Sequence, residues 1–159
     1  MSYPKAEELV TAISAHFLSF RKLSARRILG IGFLCDWKHC IEFGAPMTEC
    51  NWLVSDNWVK SEEFSYKLFT SRYVKFPNQS PSATPCSVTP VGYPYSIGST
   101  ADLVCKHVFS VLQTRTDFDL DQTILSTYPF DRTGPIDMVS LSKEYVSKYG
   151  REYLFEMRA

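Results

Sequence analysis

The chain has 159 residues, of which 45% are hydrophobic and 14% aromatic, and its 17 basic and 17 acidic residues give a formal net charge of zero. This length and apolar content suit one folded domain with its own core, and they exclude a chain that is disordered throughout. Zero net charge argues against nucleic acid as a partner, because binding to phosphates requires basic side chains in at least a local patch.

The cysteines and the start of the chain indicate the compartment. An odd number of cysteines, five, with no pair at Cys-x-x-Cys spacing argues for reduced thiols in a cytosol rather than for a disulfide framework. The first residues lack the basic and apolar segments of a signal peptide. The longest apolar stretch, 28–37, is too short to span a bilayer. We therefore predict a soluble cytoplasmic protein without a membrane partner.

Two helices are predicted in the first third of the chain. Apolar residues recur at three- and four-residue steps over 4–20, which is typical of an amphipathic helix. Ser24 is a suitable N-cap for a second helix over 25–43. Gly44 is a normal stop signal for that helix.

The second helix is apolar nearly all round, which predicts that it lies in the middle of a bundle. Its two glycines, Gly30 and Gly32, lower helix stability, and they predict a close backbone neighbour that requires them. The segments that follow predict a strand over 52–54, a helix over 60–72, a strand over 73–76, a proline-rich loop over 77–85 and an extended segment over 86–91.

Two further helices are predicted after the proline-rich loop. Ser99 and Asp102 resemble a capping box at the start of a helix that runs to about residue 115. Asp117 is a suitable cap for the next helix, over 118–127. The second half of the chain therefore continues the helical pattern of the first.

The last long helix completes the predicted fold. Pro135 suits its first position, and Gly150 ends or kinks it. Together the patterns predict a mostly α (α+β) fold, a helical bundle of about five or six helices. A small antiparallel β element is inserted after the second helix.

Two separated segments carry a family resemblance. The first is an apolar helix that runs into Asp36-Trp37-Lys38 and then the turn Phe43-Gly44-Ala45-Pro46-Met47-Thr48, followed by Trp52. The second comprises Leu125-Ser126-Thr127-Tyr128-Pro129, then Ile136-Asp137-Met138-Val139 and Lys143-Glu144-Tyr145. In this order the segments resemble the Panacea domain, also called the SocA-like domain. The resemblance covers roughly residues 7–149, so we predict a single domain over 1–159 with a tail at 150–159.

The resemblance implies a function in protein binding. Panacea-type proteins are mostly antitoxins, often encoded in prophages, that neutralise a toxin by direct binding, and one branch delivers a toxin to a protease. We therefore predict an antitoxin with a cognate toxin as its partner, in a complex that can contain more than one copy. The alternative is an accessory or adaptor subunit in phage defence, counter-defence or proteolysis. The family usually has Tyr-Gly-Pro after the strand, whereas this chain has Asp56-Asn57-Trp58-Val59, so contacts through that loop differ.

Candidate chemistry concentrates on the second helix. Asp36, His39 and Cys40 are residue types that bind metals, but no matching His or Cys pair occurs elsewhere. We predict no metal site, no cofactor and no catalytic site. A carboxylate on an apolar helix is destabilising unless it is paired or hydrogen-bonded. Asp36 is therefore either a structural residue, bound to Arg26, Arg27 or a loop amide, or a polar anchor in a binding groove.

A basic cluster precedes and opens the second helix. It consists of Arg21, Lys22, Arg26 and Arg27, which could contact phosphates, lie in solvent or face an acidic partner. The last helices are joined by a linker too long for a DNA-reading helix-turn-helix. We predict that the chain does not bind nucleic acid.

Aromatic side chains in or beside loops are candidate anchors for a protein partner. Trp58, Tyr93 and Tyr95 are predicted to be exposed contacts, whereas Trp52 and Tyr128 also suit the edge of the core. The predicted partner-binding residues are Asp36, Trp37, Trp52, Trp58, Tyr93, Tyr95 and Tyr128.

Overall fold

A computed structural model describes residues 2–150 of the chain. The helices are α1 (Pro4–Phe17), α2 (Ala25–Phe43), α3 (Glu62–Phe69), α4 (Ser99–Leu112), α5 (Asp117–Leu125) and α6 (Met138–Tyr149), with a 3-10 helix at Tyr128–Asp131 before α6. The strands are β1 (Leu53–Ser55), β2 (Trp58–Lys60), β3 (Val74–Lys75), β4 (Ser87–Val88) and β5 (Gly134–Pro135). The predicted mostly helical fold with a small antiparallel β element is confirmed. Of the predicted tail at 150–159, residues 151–159 lie outside the described residues.

Helix α2 is the central element, as its apolar sequence predicts. It contacts all five other helices and β2. Ser24 begins it as the N-cap, accepting a hydrogen bond from the backbone N–H of Arg27 at 3.3 Å. Gly44 ends it in the left-handed conformation, with φ of 81°. Within residues 2–150, no helix combines the length and apolarity needed to cross a membrane.

The two glycines of α2 lie where other elements approach closely. A Cβ added at Gly32 would lie 2.7 Å from Cζ of Phe64. At Gly30 it would lie 2.5 Å from Cδ1 of Ile124 and 2.9 Å from Cζ2 of Trp58. The predicted close neighbours are present, but they are side chains of α3, α5 and β2 rather than backbone.

The larger sheet has the strand order β2-β1-β5, with both pairings antiparallel. A two-residue turn joins β1 to β2, and its residues, Asp56 and Asn57, have φ of 55° and 59°. Positive φ at both positions is typical of the type I′ turn that fits the twist of a hairpin, and Asp and Asn tolerate it well. The segment 56–59 that departs from the family pattern is therefore a hairpin turn and the start of β2.

The start of the last helix differs from the prediction. Pro135 does not open α6 but pairs with Leu53 in β5. Asp137 is the N-cap of α6, accepting a hydrogen bond from the N–H of Ser140 at 3.1 Å. The capping carboxylate and the sheet pairing fix the helix start at Met138, three residues later than the local proline signal indicates.

The other predicted caps in the second half are each one residue late. Gly98 rather than Ser99 precedes α4, and Thr116 rather than Asp117 precedes α5. The Thr116 hydroxyl accepts a hydrogen bond from the N–H of Asp119 at 3.1 Å, so a threonine supplies the cap. Thr116 has capping chemistry similar to that of Asp117, whereas Gly98 begins α4 without a side-chain cap.

Candidate functional site

Asp36 is a fully buried carboxylate that joins α2 to the segment that follows it. Its Oδ1 accepts hydrogen bonds from the backbone N–H groups of Met47 and Thr48, at 2.9 and 3.0 Å. Its Oδ2 accepts from the Trp52 indole at 2.8 Å and from the Thr48 hydroxyl. Within residues 2–150 no cation pairs with it. This supports the prediction that Asp36 is a structural residue bound to loop amides. Arg26 and Arg27, the other predicted partners, do not bind it.

The hydrogen bonds oppose the effect of burial on this carboxyl group. Burial raises the pKa of Asp36, while the bonds from Thr48, Trp52 and Met47 act in the opposite direction. The Thr48 hydroxyl also accepts a hydrogen bond from the N–H of Cys50 at 3.2 Å, which directs its proton to Asp36. Every partner is therefore a donor, and the arrangement suits an ionised acceptor.

The buried thiols near Asp36 are unsuited to nucleophilic chemistry. Burial raises the pKa of Cys40 and of Cys50 to about 12. Burial also raises the pKa of Cys35 well above its usual range. Thiols in this state stay protonated at neutral pH, whereas the thiolate is the reactive form.

Asp36, His39 and Cys40 do not converge on a common point. The Nδ1 atom of His39 lies 2.5 Å from the carbonyl oxygen of Ala45, and its Nε2 lies 2.9 Å from the Thr100 hydroxyl. Both ring nitrogens of His39 and both oxygens of Asp36 are thus occupied. In the part of the chain that the structure describes, no group of three or more His, Cys, Asp or Glu residues could hold a metal ion.

The tryptophans predicted as partner contacts lie in the core. Trp37 and Trp52 are buried, which confirms the core-edge interpretation of Trp52. The prediction that Trp58 is exposed was wrong, because only 5% of it is accessible. Its indole donates to the carbonyl of Arg26 at 2.9 Å, and the Arg26 guanidinium covers its ring at 3.5 Å. With Asp36 also buried, these residues offer no surface to a partner in this conformation.

A cleft between α1, α4 and the loop before α4 brings two predicted contact residues together. We call it the His16 cleft; its volume is about 540 Å³, and its lining includes Ala12, His16, Tyr93, Tyr95, Cys105 and Phe109. Tyr93 is 60% exposed, as predicted, and Tyr95 is half-buried. Phe20, which is 59% exposed, contacts the His16 ring at a centroid distance of 6.0 Å. Phe20 and Tyr93 form what we call the aromatic rim of the cleft.

His16 is only 9% exposed and lies among aromatic rings. Ring centroids of Phe17, Tyr93 and Phe109 lie 4.7, 5.0 and 5.0 Å from its own. Burial lowers the pKa of His16, against a smaller opposite effect of its hydrogen bond with Gln113. A neutral imidazole therefore forms part of the cleft wall at neutral pH.

His16 and Phe20 were not among the predicted site residues. Both lie on or next to the apolar face of the first predicted helix, which indicates the core rather than a site. The signal available in the sequence was a histidine within an apolar stripe. Phe20 is outside the core because α1 ends at Phe17, three residues before the predicted end.

The basic cluster forms ion pairs with α5. Arg27 binds the two carboxylate oxygens of Asp121 through Nε and Nη2, both at 2.9 Å. Arg21 pairs with Asp117 at 2.8 Å, and Arg26 approaches Asp121 at 3.6 Å. These arginines hold α5 against α2 and are not a free cluster for phosphates.

Arg27→Ala is expected to lower the free energy of unfolding by about 1 kcal/mol, because it removes a two-bond contact between half-buried groups. Arg27→Lys keeps the charge but loses the paired Nε and Nη2 donors, so its stability should lie between those of the unchanged chain and Arg27→Ala. Urea unfolding at low salt and at about 1 M NaCl measures both, and the loss should be smaller at high salt.

The matched control for that prediction is Lys22→Ala. Lys22 is exposed and has no acidic partner among residues 2–150, so the unfolding midpoint should stay within error of the unchanged chain. An Arg27→Ala effect as small as that of the control, at low salt, would contradict a stabilising role for the ion pair.

Comparisons with protein family models, curated proteins and solved structures find no match to the chain. The resemblance to the Panacea domain therefore depends on its two motif segments. These segments pack against each other, because the Trp37 ring stacks on Tyr128 at a centroid distance of 6.5 Å. Tyr145 contacts both rings edge-on, at 5.9 and 5.5 Å. Residues distant in sequence thus share one packing unit.

Proposed function

We propose that the chain is a Panacea-type antitoxin that neutralises a cognate protein toxin by binding it directly. The observation that carries this proposal is the aromatic rim, where Tyr93 in the cleft lining and Phe20 beside the His16 ring each expose about 60% of their surface. Exposed aromatic groups beside a cleft are typical of interface hot spots. The toxin would be masked sterically, with the aromatic rim anchoring the contact and polar groups around it setting specificity.

The charged groups and thiols of the described residues are compatible with a protein that acts by binding a toxin. The arginines of the basic cluster pair with α5, and Asp36 is bound within the core. The cysteines are free thiols, four of them buried, which suits the reducing cytoplasm where such a toxin would act.

The direct test is co-expression with the product of the neighbouring gene. That product alone should arrest growth, and this chain should restore growth and co-purify with it. A harmless neighbour, or a toxin that this chain neither binds nor counteracts, would overturn the proposal. Rescue that occurs only when a host protease is present would favour the adaptor function instead.

Tyr93→Ala is expected to weaken toxin binding by about tenfold or more, because it removes an exposed aromatic anchor. Phe20→Ala should act in the same direction. Titration calorimetry with the purified toxin measures both. Tyr66→Ala is the matched control, since Tyr66 is 45% exposed on α3 and contacts Tyr3, at the other end of α1 from His16. Equal losses for Tyr66→Ala and Tyr93→Ala would contradict binding at the aromatic rim.

A further inference from the structure

The His16 cleft contains a buried acceptor that the described fold does not use. The Nε2 atom of His16 lies 3.0 Å from Oε1 of Gln113, which accepts hydrogen bonds, so the neutral ring carries its proton on Nε2. Nδ1 then presents a lone pair, and among the described residues it has no hydrogen-bond partner. An unpaired acceptor in a side chain that is only 9% exposed is destabilising, and a donor from outside would relieve it.

The same cleft contains a free cation. Lys106 lies on α4, is exposed, and pairs with no acidic side chain within residues 2–150. The carboxylate of the cleft, Asp102, is already engaged by the N–H of Ile97 at 2.8 Å and the hydroxyl of Ser96 at 2.7 Å. Asp102 keeps its charge but has both oxygens occupied, so Lys106 is the charged group of the cleft lining that can pair with an anionic ligand.

The walls between these two groups are aromatic and apolar. Phe109 forms the inner wall, and Tyr93 lies edge-on to the imidazole. A cleft of about 540 Å³ is in the size range of sites that enclose small organic groups. A small inorganic anion would make no contact with the apolar walls, and a purely apolar side chain would leave Nδ1 of His16 unpaired. The ligand that fits therefore combines an apolar group with a hydrogen-bond donor.

We propose that the His16 cleft binds a tyrosine side chain of the partner that has a carboxylate next to it; this inference rests on the proposed function. The ring packs on Phe109, the hydroxyl donates to Nδ1 of His16, and the carboxylate pairs with Lys106. Nδ1 is buried, so a neighbouring ring must move as the ligand enters, and Tyr93 is the most exposed of the rings that contact His16. Tyr93 is an exposed loop residue, and its shift sacrifices little packing.

N-acetyl-L-tyrosine is the probe, because it combines the ring, the hydroxyl and the carboxylate. In an NMR titration of the full chain, it should shift the resonances of His16, Lys106 and Phe109 saturably. N-acetyl-L-phenylalanine, which lacks the donor, should bind about fivefold more weakly. N-acetyl-L-tyrosinamide, which lacks the carboxylate, should bind about twofold to threefold more weakly.

Lys106→Ala supplies the matched variant, since an exposed side chain can be removed without affecting the core. This variant should bind N-acetyl-L-tyrosine and its amide equally. Saturable shifts absent from the cleft, or equal affinities of all three probes for the unchanged chain, would overturn the inference. The titration needs no toxin, so a positive titration with failed growth rescue would remove only the antitoxin proposal. Growth rescue with a negative titration would remove only this inference.

Discussion

Asp36→Ala is expected to lower the free energy of unfolding by about 3–5 kcal/mol. The substitution leaves the N–H groups of Met47 and Thr48, the Thr48 hydroxyl and the Trp52 indole without their acceptor. Each buried donor without a partner costs about 1–3 kcal/mol of stability. Water that enters the vacated space can accept from some of the four donors and so reduces the total loss. Urea unfolding followed by tryptophan fluorescence measures the loss, and Trp52 itself reports on the site.

Two variants bracket that expectation. Asp36→Asn keeps Oδ1 as an acceptor for the backbone, but its amide group faces the donors of Thr48 and Trp52, so it should be intermediate. Asp131→Ala removes an exposed carboxylate and should leave the unfolding midpoint unchanged within error. A loss of less than about 1 kcal/mol for Asp36→Ala would contradict the structural role of this carboxylate.

The helices could be predicted because their signals are local. Ser24 and Gly44 mark the two ends of α2, and the capping bond and the positive φ are determined within a few residues of each. The third strand of the sheet could not be predicted in this way. Pro135 has the local chemistry of a first helical residue, but Ile136 donates its N–H to the carbonyl of Trp52 at 2.9 Å and keeps the chain extended.

The candidate site residues likewise differ in whether local sequence could predict them. Asp36 could be singled out from sequence, because a carboxylate on an apolar helix must find donors, and a loop amide was one predicted partner. His16 could not, because a histidine on an apolar face is ordinarily a core residue. Its unpaired Nδ1 and its contacts with Tyr93 and Phe109 depend on residues distant in the chain. For Trp58 the error was the reverse: it was predicted to be an exposed contact, but the β1–β2 hairpin places it against α2.

Gly32→Ala is expected to destabilise the fold by about 2 kcal/mol, although alanine favours a helix by about 1 kcal/mol. The added Cβ would meet the Phe64 ring, with Cζ at 2.7 Å, and Phe64 is fully buried. Gly30→Ala should cost less, because its nearest neighbour is the flexible end of Ile124 and its aromatic neighbour, Cζ2 of Trp58, lies farther away at 2.9 Å. Thermal and urea unfolding of both variants measure the difference.

A double-mutant cycle isolates the contact between α2 and α3. In a Phe64→Leu background the ring is gone, so Gly32→Ala should lose most of its cost, with a coupling of about 1 kcal/mol or more. Equal costs of Gly32→Ala in both backgrounds would show that the ring is not what requires a glycine. Because Phe64 also packs on Trp52, which binds Asp36, the close approach at Gly32 helps to hold the donors of the buried carboxylate in place.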